Sequence, residues 1–198
     1  MIRLPLEASL RRDASGMAAV EFGLIAPVLL LMIFGMLEMG YRTYVDSILK
    51  GAVQAAGRSS GLESGNAGQA SIDQMVRDRV LDIVPNAAIT FERRNYVNFV
   101  DVGRPEDFED TNGNNEYDVA ECFDDENANA QWDSDAGRDG QGSANEVVRF
   151  TARVAYPSFI PIAGAFGLSN DNRLSASTTL RNQPFATQPT RQLVQICP

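Results

Sequence analysis

The stretch RRDASGMAAVEFGLIAPVLLLMIFGMLEMGYR (residues 11–42) decides how the rest of the chain must be arranged. From Phe22 to Leu37 it carries no charge over 16 residues, yet Glu21 stands at the head of that run. As a helix rising about 1.5 Å per residue, Met17 to Leu37 is about 31 Å long, the thickness of one hydrocarbon core. Arg3, Arg11 and Arg12 precede it, so the positive-inside rule keeps the N-terminus cytoplasmic and sends the remainder outward. A removable secretory signal wants small residues just after the apolar run, and Leu37 and Glu38 stand there instead. A plain signal anchor, with Glu21 reaching for the interface, leaves a costly carboxylate without a purpose.

A third reading gives the carboxylate a role. The order Gly16, Met17, Ala18, Ala19, Val20, Glu21, Phe22 after a basic leader resembles the signal cut by prepilin peptidases on the cytoplasmic side. Cleavage after Gly16 frees an α-amine on Met17, with Glu21 one turn further on, where a negative charge also suits the helix macrodipole. The resemblance implies that this glutamate meets the N-terminal amine of a neighbouring subunit, so that neither charge is left unpaired. The wider stretch, with Ala26-Pro27 inside the run and Gly35, Leu37, Glu38 and Gly40 at its exit, is similar to TadE-like proteins. These are pseudopilins of the tight-adherence (Tad, or Flp-type) pilus machinery. The likeness covers residues 11–60 and returns thinly at TTLRNQPF (178–185). It implies a leader at 1–16, a span at 17–40 in the bacterial inner membrane and a periplasmic domain at 41–198. Its implied partners are the prepilin peptidase and other Tad pilins and pseudopilins.

The composition is compatible with this and excludes much else. The 198 residues carry a net charge of −9, but residues 101–146 alone hold −13, leaving +4 for the rest. Such a balance argues against nucleic acid as a partner. Histidine is absent, which removes the commonest general base and transition-metal ligand. No phosphate-binding glycine loop follows a strand, no Ser/His/Asp set is possible, and no small-molecule substrate is indicated. We therefore expect no catalytic residues and no enzyme. The two cysteines, Cys122 and Cys197, suffice for one bridge outside the cytoplasm, although two independent thiols fit equally well.

Beyond the span, Tyr41, Tyr44, Val45, Ile48, Leu49, Ala52, Ala55 and Ala56 recur at three- and four-residue spacing, which predicts that the helix continues with one apolar face. A second helix should open on a capping box at Ser71 and Gln74, close before Pro85 and bury Ile72, Met75, Val76, Val80 and Ile83. Residues 87–100, 146–159 and 173–185 alternate as strands, with Val148, Phe150, Ala152, Val154 and Tyr156 on one face. Strands grouped after helices predict an α+β fold, a long N-terminal helix packed on a small antiparallel sheet in the pilin-like manner. The glycine-rich stretch 157–167 reads as a loop over the core or against the membrane face.

The acidic insert, residues 105–140, is an internal repeat. EDFEDTNGNNEYD (106–118) aligns without gaps on ECFDDENANAQWD (121–133). Asp110, Asn112 and Asn114 place oxygen ligands on alternate residues, as calcium loops do at positions 1, 3 and 5; Glu116, Asp118 and Glu121 stand at 7, 9 and 12. Asp125, Asn127, Asn129, Gln131 and Asp133 repeat the series, but position 12 is Ala136, where neighbouring Asp135 could substitute. Asn115 and Ala130 replace the usual glycine at position 6, so a sensor EF-hand is not expected. Calcium is the expected cofactor, and a solvated acidic loop is the alternative. At the level of the whole chain, the alternative to a pseudopilin is an uncleaved single-span protein with a calcium-dependent binding or adhesion module.

Overall fold

The computed structural model describes residues 16–60, 68–161, 164, 167, 169–184 and 191–198. Apart from Gly16, the expected leader lies outside the described residues, as does most of 162–168. Helix α1, Met17–Ser60, runs 44 residues without a break and contains Pro27. Its two halves differ as the sequence pattern requires. Up to Leu37 the large apolar side chains other than the half-buried Phe34 are exposed. From Val45 onward Leu49, Ala52, Val53 and Ala56 are buried at helical spacing. Tyr44, expected on this face, is 51% exposed; Val53 and Gly57 fill the stripe instead. Gly57 is there because the sheet comes close: a Cβ at this position would lie 2.6 Å from Thr178 Cγ2.

Helix α2, Gln69–Leu81, buries Ile72, Val76 and Val80 against α1. Met75 and Ile83 are only partly buried, Ile83 lying just past the helix. The expected capping box does not form. The helix opens two residues earlier behind Gly68, so Ser71 sits inside the first turn and its hydroxyl donates to the Gly68 carbonyl at 2.7 Å. Gln74 turns forward and donates to Asp78.

Four antiparallel strands follow in the order β3-β1-β4-β5: β1 Ala88–Tyr96, β3 Arg138–Asp139, β4 Val147–Pro157 and β5 Asp171–Arg181. The central strand β4 turns Val148, Phe150, Ala152, Val154 and Tyr156 inward, with Phe150, Ala152, Val154 and Tyr156 joining the core under the two helices. Strand β1 is shorter than expected because Phe99–Asp101 coils into a short turn, closed by reciprocal Asn98 and Asp101 hydrogen bonds. A second ribbon, β2 Phe123–Asp125 with β6 Val194–Ile196, joins the acidic insert to the C-terminal tail, a pairing the sequence pattern does not predict.

Buried polar groups tie the distal end together. The side-chain amide of Gln141 donates to the Ser60 carbonyl at 3.0 Å, satisfying the end of α1. Arg191 donates to Glu146 Oε1 at 2.9 and 2.7 Å and to Asn95 Oδ1 at 2.5 Å, anchoring the chain that leads into β6.

Candidate functional site

Two regions carry the candidate residues. The first is the start of α1. Gly16 precedes the helix, its carbonyl accepting the Val20 N–H at 3.1 Å, and Met17 begins it. Glu21 and Phe22 lie one turn on, both exposed. Among the described residues one helix is long and apolar enough to cross a membrane, and it is this one.

The second region is the insert, whose geometry repeats with the sequence. In the first loop Asp110 Oδ1 accepts the N–H groups of Gly113 and Asn114 at 2.7 and 3.2 Å, and Oδ2 that of Asn115 at 2.9 Å. In the second loop Asp125 does the same for Ala128, Asn129 and Ala130 at 2.6, 3.2 and 2.9 Å. Asn112 and Asn114 both donate to Asp118 Oδ2, at 2.6 and 3.0 Å; Asn127 and Asn129 donate to Asp133 Oδ2 at 2.7 and 2.5 Å. The backbones agree as well. Gly113 and Ala128 have φ of 75° and 66°, and Asn115 and Ala130 have 60° and 61°. Three of these four therefore hold a left-handed conformation without being glycine, a cost the loop hydrogen bonds must offset.

The closing carboxylates are where the structure departs from the sequence reading. Glu121 closes the first loop, Oε1 accepting from the Thr111 N–H at 2.8 Å and Oε2 from that of Asp118 at 3.1 Å. For the second loop neither Ala136 nor Asp135 serves. Glu106, from the head of the first repeat, takes the place: its Oε1 accepts from Glu126 and Asn127 at 2.9 and 3.3 Å, and Oε2 from Asp133 at 3.0 Å. Asp135 points away from the loop to the sheet, where Tyr96 donates to it at 2.8 Å and Arg149 pairs with it. Its carboxyl, though burial pushes the other way, is held below the ordinary range by the Tyr96 hydroxyl, the Gly137 N–H and Arg149. Glu106 and Glu121 are 1% and 2% exposed, and burial pushes the Glu106 carboxyl up against its backbone donors.

The repeat aromatics make a small core of their own rather than packing on the main sheet. Tyr117 stacks on Trp132 at 4.7 Å, and Phe108 and Tyr117 stand edge-on to each other at 5.9 Å. Phe108 and Phe123 are joined by an antiparallel bridge. Equivalent residues of the two repeats thus face each other across a local pseudo-twofold. Cys122 and Cys197 form a disulfide that fastens β2 to β6. Glu116 and Gln131 contribute backbone N–H groups to Asn114 and Asn129 at 2.8 and 2.7 Å. Among the described residues no group of three or more Asp, Glu or Cys side chains converges on one point. Each loop instead mixes carboxylate and carboxamide oxygens.

Comparison with known proteins bears on the first region. Residues 16–58 match the family described as TadE-like protein. Over that segment the chain is similar to the TadE-like family. The matched segment begins at Gly16 and ends two residues before α1 does. The insert and all of the strands lie outside the match. No curated protein and no solved structure matches the chain.

Proposed function

We propose that this protein is a pseudopilin-type assembly component of a Tad pilus machine. It enters the inner membrane with its N-terminus cytoplasmic and its α+β domain periplasmic, and a prepilin peptidase cuts after Gly16. The observation that carries the reading is the TadE-like match, which starts at the glycine immediately before an uninterrupted helix whose first half is exposed. Gly16, Met17, Glu21 and Phe22 then have the roles of cleavage point, new N-terminus, amine partner and recognition residue. Intact mass of the protein from its own cell is expected to begin at Met17. Gly16→Val is expected to block processing, and Glu21→Gln to leave insertion intact while impairing assembly. A native chain that keeps residues 1–16 while the peptidase is active favours the uncleaved single-span reading.

The insert supports a second element of the proposal, a calcium-loaded module. Asp110, Asn112, Asn114, Asp118 and Glu121 would hold one ion, and Asp125, Asn127, Asn129, Asp133 and Glu106 the other, with Glu116 and Gln131 at the backbone-carbonyl position. Hard carboxylate and amide oxygens are the donors calcium takes. The ion would offset the local −13 charge. The amide groups of Asn112 and Asn114 now directed at Asp118 would have to give way to it.

A further inference from the structure

Where α1 leaves its exposed apolar half, the loop residues 158–160, directly after β4, lie against it. Glu38 holds that loop: its carboxylate accepts the Ile160 N–H at 3.1 Å and the Asn172 side-chain amide at 2.9 Å. Tyr41, one turn on, packs against Phe159 at 5.7 Å, and Phe159 remains 73% exposed. Between helix and loop lies a cleft of about 390 Å³. Its walls follow one stripe of the helix, from Leu31 through Phe34, Gly35, Glu38 and Met39 to Arg42, with Ser158 and Ile160 opposite.

The chemistry changes along that stripe in one direction. Leu31 lies seven residues before Glu38, about 10 Å deeper along the helix, so the lower cleft is apolar and open to the surroundings of the span. The upper end presents a guanidinium and a carboxylate one turn apart. Arg42 has no ion-pair partner among the described residues. An apolar slot continuous with a membrane span and capped by one cation and one anion fits an amphiphile with a phosphate and an ammonium.

We propose that this cleft holds one zwitterionic glycerophospholipid of the outer face, its phosphate on Arg42, its ammonium beside Glu38 and an acyl chain along Leu31, Phe34 and Gly35. The lipid would wedge the periplasmic domain against the bilayer and set its tilt. The inference rests on the membrane placement of α1 proposed above.

The test uses the full chain, purified in mild detergent and measured by native mass spectrometry after lipid exchange. The wild type is expected to retain one phosphatidylethanolamine in preference to phosphatidylglycerol. Arg42→Gln is expected to lower retention about tenfold, the worth of one charge-assisted hydrogen bond. Gly35→Phe is expected to abolish it by filling the slot, since a Cβ at Gly35 meets no atom within 4 Å and leaves the helix unstrained. Circular dichroism of both variants checks that they fold. No retained lipid, equal retention in both folded variants, preference for the anionic lipid, displacement by inorganic phosphate or a second copy cross-linked at Ser158 would each overturn the proposal. Carbonate extraction of native membranes tests the span separately, so failure of the membrane reading is told apart from failure of the cleft.

Discussion

Glu106 and Glu121 stand at the same position of two repeats, and each holds the backbone of the loop that follows the other. Glu121 binds Thr111 and Asp118; Glu106 binds Glu126, Asn127 and Asp133. The two loops are therefore cross-braced, and each is closed by a residue from its partner repeat.

Loss of either glutamate is expected to act across the repeat boundary. Glu106→Gln sets an amide NH2 against at least one of its three backbone N–H donors, leaving that donor unpaired, and is expected to cost about 2 kcal/mol. Hydrogen exchange should quicken at residues 126–133 and stay slow at 111–118, and Glu121→Gln should give the reverse. Exchange that quickens only within the mutated repeat would show that the loops close independently.

Calcium is expected to stabilise the insert in the millimolar range typical of extracellular sites. Trp132 is the single tryptophan; it stacks on Tyr117 and its indole donates to the Glu106 carbonyl at 3.0 Å. Its emission should therefore shift as calcium is added, with a rise in Tm through linkage. Asp110→Ala should weaken the first site and leave the helix–sheet core intact. Emission and Tm both unchanged up to about 10 mM calcium would return the insert to a purely protein-held loop pair.

The pH profile without calcium is expected to peak in mild acid. Burial raises the carboxyls of Glu106 and Glu126 above their ordinary 4.5, so protonation favours the fold and stability rises as pH falls from their folded values toward 4.5. The Asn115 N–H, with those of Gly113, Asn114 and Asn112, lowers the carboxyl of Asp110 below 3.8. Asp135 is lowered too, its hydrogen bonds outweighing burial. The stability these two aspartates contribute is present above 3.8 and lost as pH falls through their depressed values. Thermal melts across this range should show the maximum, and Asp135→Asn should flatten the acid limb. A profile that falls steadily from neutral pH would contradict it.

Cys122 and Cys197 lie 75 residues apart, so their bridge closes a long loop. Replacing both by serine is expected to cost about 2–4 kcal/mol, concentrated in the insert and the β2–β6 ribbon. Thiol labelling of the unreduced, unfolded protein should find no free thiol, and two labelled cysteines would end this account.

Gly57→Ala is expected to cost about 1–3 kcal/mol, because the new methyl would meet Thr178 Cγ2 at 2.6 Å. Thr178→Ser removes that methyl group and should restore part of the loss. A double-mutant cycle with no coupling would mean the helix shifts freely over β5.

The long helix, its change from exposed to buried face at Val45, the inward series Val148 to Tyr156 and the duplicated loops were all legible in the chain, because each is written in neighbouring residues as a period or an offset. Short-range patterns of this kind depend on helical and strand geometry alone. The Ser71 capping box failed for a related reason. Its spacing was right, but packing of α2 on α1 set the helix start at Gln69.

What only the tertiary structure decided concerns residues far apart in sequence. A linear template places a loop's closing carboxylate after the loop, so Ala136 reads as a defect; the pseudo-twofold lets Glu106 supply it from before. Asp135, free on that same template, is drawn to the sheet because Tyr96 and Arg149 offer it hydrogen bonds there. The three-residue strand β6 and the Arg191 anchor carry no period at all, and exist because Phe123, Glu146 and Asn95 present partners to them. Periodicity in the chain determined the elements; complementary buried polar groups, which sequence spacing does not encode, determined how they close on one another.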